Sequence, residues 1–251
     1  MGLFDIPSPV YSAIDSLLEF LPLYGRLLIW AAFTGVISMI LYWACSAQDK
    51  VEAAKQRAIT ARRNMAGYQG TEMNEMLPLA KESLAASGKH FLIVLGPAVL
   101  SSLPALTLIV WVSNHFSYEL PAAGTPIVIS STPADVANKL TPASDESGNA
   151  AIAWPPAEQP AELSLSGGET LVTLPLAAAV PVVHQRYWWN ILIGNPNGYL
   201  PADSDVTEIQ FALPRLVYLD IGPEWVRTWE LSYFLLLILV SLGIKVAFKI
   251  H

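Results

Sequence analysis

The sequence has one cysteine and few charged residues. Because Cys45 is alone, neither a disulfide framework nor a cysteine-based metal site is expected. Only 14% of the 251 residues are charged, whereas 53% are hydrophobic. A soluble domain of average composition is therefore not expected, and the apolar residues should be concentrated in membrane spans.

Catalytic motifs are also missing. The chain contains no G-x-x-x-x-G-K-[ST] phosphate loop, no G-x-S-x-G elbow and no paired acidic motif. The segment "LSGGE" at 165–169 is similar to the signature loop of ABC-type ATPases, but without a phosphate loop it is interpreted as a β-turn. We expect no enzyme activity, no cofactor and no nucleic-acid binding. A transporter is also disfavoured, because the predicted membrane spans (27–45, 91–113 and 231–248) contain no carboxylate that could couple transport to ion movement.

The histidines do not have the spacing of metal ligands, so no metal site is expected. The chain contains His90, His115, His184 and His251. His184, in "VVHQRYWWN", is interpreted as a strand residue beside aromatic side chains rather than as a catalytic base.

Three apolar runs, at 27–45, 91–113 and 231–248, reach the roughly 17 to 25 residues that a spanning helix needs. The loop 46–90 contains seven basic residues, whereas 114–230 contains four basic and thirteen acidic residues. Basic loops stay in the cytoplasm. The pattern predicts a multi-pass protein of the bacterial inner (plasma) membrane, with residues 1–26 outside and the tail 249–251 in the cytoplasm.

The segment 1–26 has the pattern of a short amphipathic helix. Ser8-Pro9 is a typical helix start, and apolar residues recur at helical spacing after it. They are Val10, Ile14, Leu17, Leu18 and Leu21. The pattern favours a helix on the outer membrane surface, with a frayed tail as the alternative.

Residues 46–90 predict a cytoplasmic helical hairpin, a short coiled coil that turns at "GYQG" (67–70). Its apolar stripe is thin, so the hairpin should be marginally packed and mobile. The expected contacts join Val51, Ala54, Ala58, Ile59 and Met65 to Met73, Met76, Leu77, Ala80 and Leu84.

Thirteen of the nineteen prolines fall between Tyr118 and Glu230, among short runs of β-type residues. This pattern predicts a small exported all-β domain, sandwich-like, at 114–230. The predicted strands lie within 126–131, 150–154, 162–166, 169–175, 182–194, 206–214 and 215–221. The stretch 132–162, rich in Pro, Ala, Ser and Glu, is expected to be partly disordered.

The second span carries prolines at spacings of a helical face. Pro97, Ser101 and Pro104 are four and three residues apart, so they share one side of a helix. Each proline removes the N–H that would pair with the carbonyl four residues earlier. In lipid, such a stripe needs protein or water to satisfy it. A hydrated groove near the cytoplasmic half is one solution; hydrogen bonding between helices is the alternative. The candidate groove residues are Thr34, Ser38, Pro97, Ser101, Ser102, Pro104, Thr107 and Ser232.

The order of the predicted elements and their composition resemble those of a known superfamily over residues 38–113 and 222–250. The segments are "SMILYWACSAQDKVEAAKQRAITARRNM", "EMNEMLPLAKESLAASGKHFLIVLGPAVLSSLPALTLIVWVS" and "GPEWVRTWELSYFLLLILVSLGIKVAFKI". They resemble the YidC-type membrane protein insertases, and most closely the three-span branch of archaeal YidC-like proteins and the core subunit of the ER membrane protein complex. The resemblance implies a groove open to cytoplasm and lipid, through which polar tails and hydrophobic helices of clients enter the bilayer without ATP.

The resemblance also implies partners for the hairpin: nascent or newly made membrane proteins, and a ribosome or translocon. Candidate client-capture residues are Arg57, Arg62, Arg63, Met65, Met73 and Met76. Methionine packs adaptably against varied apolar segments. A solvated charged linker is the alternative.

Two features depart from that superfamily. Many of its members have an arginine in the groove, whereas the only candidate here, Arg26, precedes the first predicted span. The large exported domain is also atypical and is a candidate for binding a protein partner. The leading hypothesis is thus an insertase or membrane-protein chaperone. The alternative is a non-catalytic accessory or scaffold subunit of an envelope complex, acting through the acidic exported domain.

Overall fold

The computed structural model describes residues 1–70, 72–134, 140–141, 150–165 and 170–250. The chain is mostly helical, with a small antiparallel β region between the second and third long helices. It divides into two compact units. Unit 1 is Met1–Leu27 with Thr107–Tyr233, and unit 2 is Leu28–Leu106 with Phe234–His251.

Three of the helices are long and apolar enough to cross a membrane: α2, α4 and α6. This confirms the prediction of three such segments. The helices are α1 (Ser8–Ser16), α2 (Leu23–Cys45), α3 (Gln48–Ala66), α4 (Met73–Phe116), α5 (Glu224–Arg227) and α6 (Trp229–Ala247). A 3₁₀ turn at Leu3–Asp5 precedes α1.

Helix α4 is continuous over 44 residues and contains Pro78, Pro97 and Pro104. The second helix of the predicted hairpin and the second predicted span are therefore two parts of one helix, with no break at residue 90. Gly88 alone does not end it, because alanine, lysine and leucine around it favour helix. At about 1.5 Å per residue, α4 is about 66 Å long.

Helix α3 packs against the first part of α4 through small residues. Ala58, Ala61 and Ala86 form a buried cluster, and the Arg62 Nε donates to the Ser87 Oγ at 3.2 Å. Alanine at such a contact lets two helix axes approach closely.

The predicted contact face of α3 is confirmed at Val51 and Ala58, which are buried. The predicted face of α4 is wrong, because its large apolar side chains are turned outward: Met73, Met76, Leu77 and Leu84 are all exposed. Ser83 and Ala86 are buried instead. Small side chains rather than large apolar ones thus form this helix contact.

The β region contains two antiparallel sheets. The first has the strand order β3-β1-β7-β6 and the second β2-β4-β5. The strands are β1 (Pro126–Thr132), β2 (Leu140–Thr141), β3 (Ala150–Ala153), β4 (Ala161–Leu165), β5 (Thr170–Leu174), β6 (Val182–His184) and β7 (Glu208–Phe211).

Both sheets contribute to one hydrophobic core. In β1, exposed and buried residues alternate, as expected for a strand with one covered face. Ile129 from this strand and Phe211 from β7 are paired in register and both fully buried. Leu163 and Leu174, from the second sheet, belong to the same core cluster.

Two of the predicted strands differ from the structure. Of 182–194, only Val182–His184 is a strand, and it is followed by a 3₁₀ turn at Trp188–Ile191. The run 215–221 forms no strand, only an isolated bridge between Arg215 and Tyr118. In the first case the side chain of Asn190 bonds to nearby backbone and so competes with ladder pairing.

Part of the stretch predicted as disordered is ordered. Strands β2 and β3 lie in it, and Trp154 is 3% exposed within the core. The apolar side chains of this stretch contribute to a shared core, which composition averaged over thirty residues conceals. The predicted turn "LSGGE" lies outside the described residues except for Leu165, which ends β4.

Candidate functional site

The serine hydroxyls of α4 bond within their own helix. The Ser101 Oγ donates to the Ala98 carbonyl at 3.0 Å, and the Ser102 Oγ donates to the Val99 carbonyl at 2.8 Å. Ser101 is buried, whereas Ser102 is exposed. These two hydroxyls are thus satisfied locally, which is a third outcome beside a wet groove or a bond to another helix.

Pro97, Ser101 and Pro104 lie on the less exposed side of α4. Ser101 is 7% exposed and the two prolines are half-buried. Leu100 and Leu103, on other sides of the same turns, are exposed. The helical face expected from the spacing is therefore present, and it is covered rather than open.

The polar residues of α2 surround a close helix contact in unit 2. Thr34 is fully buried, and its Oγ1 donates to the Trp30 carbonyl at 2.8 Å. At Gly35 an added Cβ would lie 3.0 Å from the Leu237 carbonyl oxygen of α6. The Oγ of Ser38, one turn further, is buried and has no hydrogen-bond partner among the described residues. Ser38 is therefore the one predicted groove residue with an unsatisfied buried hydroxyl in the described chain.

The remaining two candidate groove residues belong to unit 1. The Thr107 Oγ1 and the Tyr11 hydroxyl are 2.8 Å apart, and the Ser232 Oγ and the Tyr24 hydroxyl are 3.2 Å apart. Each of these hydroxyls is thus paired with a tyrosine. The eight predicted groove residues fall into two compact units rather than one.

The hairpin candidates differ in exposure. Arg57, Arg62 and Arg63 are exposed, and Met65 is half-buried. Arg57 lines a cavity of about 270 Å³ that Lys50 and Lys89 also line. These basic side chains thus lie on the hairpin and near the point where it meets the predicted span. Met73 and Met76 project outward from α4.

One side of α4 is apolar and exposed, from Met73 at the start of the helix to Leu106 within the predicted span. Most of these side chains are one, three or four residues apart, with Leu84 seven residues from each of its neighbours, and together they occupy about half of the helix circumference. They are Met73, Met76, Leu77, Leu84, Phe91, Leu92, Leu95, Val99, Leu103 and Leu106. The first four precede the predicted span, where exposure to lipid would not explain them. Sequence reasoning identified these residues but placed them inside the hairpin.

An ion pair that the sequence reasoning missed joins α1 to the first turn of α2. Arg26 lies inside α2, and its guanidinium bonds to the Asp15 carboxylate, which is 5% exposed. The guanidinium carbon also lies 6.0 Å from the centroid of the Phe116 ring. In the sequence, the signal for this pair was the single acidic residue of an apolar helix, Asp15, eleven residues before the single basic residue of 1–26, Arg26.

Helix α1 is amphipathic, but its polar side packs against the rest of unit 1 and its apolar side faces outward. The Trp111 Nε1 donates to the Ser12 Oγ at 3.0 Å, and Tyr11 and Asp15 make the bonds described above. Outward lie Val10 and Ile14 of α1, with Ile6 before the helix and Leu17 after it, all exposed. A helix on a water-soluble surface normally shows the opposite arrangement.

Among the described residues, no group of three or more histidine, cysteine, aspartate or glutamate side chains is placed to hold a metal. His184 lies at the end of β6, stacked on Tyr187 with ring centroids 5.2 Å apart. Its Nδ1 lies 2.6 Å from the Gln185 carbonyl oxygen. His184 is thus a strand residue beside aromatic side chains, as predicted.

The fold defines a class: a helical protein with three candidate membrane-spanning helices and a small antiparallel β region between the second and the third. No protein-family model, curated protein or solved structure matches this chain. The resemblance to YidC-type insertases therefore stays a prediction that depends on the residues quoted above.

Proposed function

We propose that the protein is a membrane protein insertase or chaperone of the YidC type, which eases polar tails and hydrophobic helices of client proteins into the bilayer without ATP. The observation that supports this proposal is the exposed apolar side of α4. It extends from Met73 to Leu106 along one helix, all within unit 2.

The length of α4 is central to the proposal. A helix of about 66 Å is more than twice the roughly 30 Å of a bilayer hydrocarbon core. If residues 91–113 span the membrane, the part from Met73 to about His90 stands outside the hydrocarbon. The same apolar face is then available first in the aqueous phase and next in the bilayer.

The four apolar side chains outside the predicted span form the client-capture surface: Met73, Met76, Leu77 and Leu84. Covering one such side chain contributes roughly 1.5–3 kcal/mol. Two of the four are methionines, which adapt to clients of different shape. A client helix bound here would move along the exposed face of α4, past Leu84, to Phe91 and Leu92 and so into lipid.

A polar tail needs a different feature, because moving a charge through intact hydrocarbon costs several kcal/mol or more. The buried Ser38 hydroxyl, without a partner in the described chain, offers a hydrogen bond to water or to a client. A buried hydroxyl left unmatched costs about 1–3 kcal/mol. We place the groove wall at Ser38, and not at the face of Pro97, Ser101 and Pro104, which is covered and whose Ser101 hydroxyl is bonded within α4.

The proposed orientation has the N-terminus outside and the C-terminus in the cytoplasm of the bacterial inner membrane. It leaves the basic hairpin, with Arg57, Arg62 and Arg63, where clients are synthesised. Basic residues near the membrane surface contribute about 1 kcal/mol each toward anionic lipid. A ribosome or translocon is a proposed partner for the same surface.

The test is insertion of a short-tailed client into liposomes that contain the purified protein. A quadruple variant with Met73, Met76, Leu77 and Leu84 each changed to Gln should lose insertion at least several-fold. The matched control changes four exposed polar residues of the same helix segment, Asn74, Glu75, Lys81 and Glu82, to Ala. It should insert clients as the unchanged protein does.

Two results would contradict the proposal. If the unchanged protein gives no more insertion than empty liposomes, the insertase function is wrong. If it instead purifies in a stable stoichiometric complex that persists without translating ribosomes, the accessory-subunit alternative is favoured. Equal activity of the quadruple variant and its control would contradict the role of the α4 face, but not the insertase function.

A further inference from the structure

The turn after β6 displays large apolar side chains outward. Trp188 is 80% exposed and Ile191 is 65% exposed. A folded domain seldom leaves a tryptophan so uncovered without a partner. The stretch 170–202 around this turn contains no acidic residue, although 114–230 as a whole has an excess of nine acids over bases.

The polar groups of the turn are directed inward. Asn190 is 1% exposed; its Oδ1 accepts from the Tyr187 N–H at 2.7 Å, and its Nδ2 donates to the Ile193 carbonyl at 3.0 Å. The N–H groups of Leu192 and Ile193 donate to the Trp189 carbonyl at 2.9 and 3.3 Å. Non-helical backbone beside hydrocarbon needs this kind of internal pairing. A protein-binding loop typically offers polar groups to its partner instead.

The same turn is bonded to the N-terminal segment. The Phe4 N–H donates to the Leu192 carbonyl at 2.9 Å, and the Asp5 Oδ2 accepts from the N–H groups of Gly2 and Gly194, both at 2.7 Å. A Cβ at Gly2 would lie 2.6 Å from the Gly194 nitrogen, so the two segments are in close contact. This brings the exposed residues of the N-terminal segment to the same surface. We call it the aromatic-turn surface: Leu3, Ile6, Trp188, Trp189, Ile191 and Leu192.

The position of this surface follows from contacts inside unit 1. Helix α1 begins directly after the N-terminal segment and is bonded to the last turns of α4 by Tyr11 to Thr107 and by Trp111 to Ser12. Those turns end a candidate span. The outward apolar side of α1 follows the aromatic-turn surface directly along the chain.

We propose that the aromatic-turn surface inserts into the interface between headgroups and acyl chains of the bilayer, and so anchors the β region to the membrane. The proposal depends on the membrane placement of α2, α4 and α6, and not on insertase activity. Tryptophan is enriched at this depth because its ring is amphipathic. Apolar burial drives the insertion. The stretch 170–202 contributes no carboxylate that would oppose anionic lipid, and the Asp5 carboxylate beside it is bonded to the N–H groups of Gly2 and Gly194.

The test uses single cysteines carrying a nitroxide label, in a Cys45→Ser background. The protein is reconstituted into vesicles of phosphatidylethanolamine and phosphatidylglycerol. Relaxation by oxygen, which concentrates in lipid, is compared with relaxation by a water-soluble nickel chelate. The labelled positions are Ile191→Cys for the turn, Val128→Cys as an exposed control in β1, and Ile238→Cys as a control in α6.

The expected result is higher oxygen than nickel accessibility at 191 and 238, with the reverse at 128. Adding Asn190→Ala, which removes the side chain that closes the turn, should shift 191 toward nickel accessibility and leave 238 unchanged. If 191 behaves as 128 does while 238 reports lipid, the anchor is wrong and the spans stand. If 191 and 238 both report water, the membrane placement itself is wrong. Low accessibility of 191 to both reagents would indicate a protein partner and overturn the lipid proposal.

Discussion

The side chains of Asp15 and Arg26 form an ion pair within unit 1. The Arg26 Nε donates to the Asp15 Oδ1 at 3.1 Å, and a second guanidinium nitrogen bonds to the other carboxylate oxygen. The Asp15 carboxylate is almost fully buried. The pair holds α1 against the beginning of α2, so it fixes the side of α1 that faces outward.

We expect Arg26→Gln to destabilise unit 1 by about 3 kcal/mol, because it leaves a buried carboxylate without its cation. The double variant Asp15→Asn with Arg26→Gln should lose less, since no charge is then left without its partner. Thermal unfolding in detergent measures both, and Asp15→Asn alone completes the double-mutant cycle. Additive losses in this cycle would show that the two side chains do not act as a pair.

We expect Gly35→Ala to destabilise unit 2 by about 1–3 kcal/mol, because overpacking forces neighbours apart. The added Cβ would lie 3.0 Å from the Leu237 carbonyl oxygen and 3.1 Å from the Val240 Cγ1. Gly243→Ala, on α6, is the control, since nothing lies within 4 Å of its added Cβ. The control should be neutral or stabilising by up to about 1 kcal/mol. Similar melting temperatures for the two variants would contradict a close helix contact at Gly35.

Ser38→Ala should leave stability unchanged or raise it by about 1 kcal/mol, because it removes a buried hydroxyl that has no partner among the described residues. Thr34→Val, whose hydroxyl bonds to the Trp30 carbonyl, should instead lose about 1 kcal/mol. Thermal unfolding tests both variants, and client insertion into liposomes tests the groove. A clear loss of stability in Ser38→Ala would show that its hydroxyl is satisfied, for example by water.

Tyr218 should give unit 1 an alkaline sensitivity. Burial raises the pKa of Tyr218 above its usual value of about 10, and its hydroxyl donates to the Phe116 carbonyl at 3.0 Å. Below about pH 10 the phenol is protonated in both folded and unfolded chains and adds no pH dependence. Above that pH the unfolded chain ionises first, so the free energy of unfolding should fall as pH rises.

Tyr218→Phe tests this expectation. The variant should lose about 1 kcal/mol at neutral pH, where the hydrogen bond is missing, and its stability should fall less steeply above pH 10. Tyr187→Phe, an exposed tyrosine of the same unit, is the control. An alkaline slope that is the same in both variants and in the unchanged protein would exclude Tyr218 as its source.

Periodicity and composition were sufficient to predict the three apolar helices and most strands, because both depend on local order along the chain. The face of α4 that becomes covered was not predictable in the same way. Met73 and Leu84 are more apolar than Ser83 and Ala86, yet the smaller residues are the buried ones. The contact depends on how closely α3 can approach α4, which is a tertiary property.

The turn at Trp188–Ile191 shows the same limit. Its aromatic and β-branched residues predict a strand, but the buried side chain of Asn190 closes a turn with the backbone of Tyr187 and Ile193. The candidate groove residues were chosen for polarity inside apolar runs. Their hydroxyls have different partners, and only the structure distinguishes the bonded Ser101 from Ser38.

The sequence by itself determined that the chain has three helices able to span a membrane and a proline-rich β region between two of them, because burial in lipid or in a sheet requires long apolar runs and short alternating ones. The tertiary structure decided which sides of those helices are covered. It also decided that Asp15 and Arg26 pair, that α1 turns its apolar side outward, and that the N-terminal segment is bonded to the turn that displays Trp188. Each of these depends on contacts between segments distant along the chain, which no local pattern records.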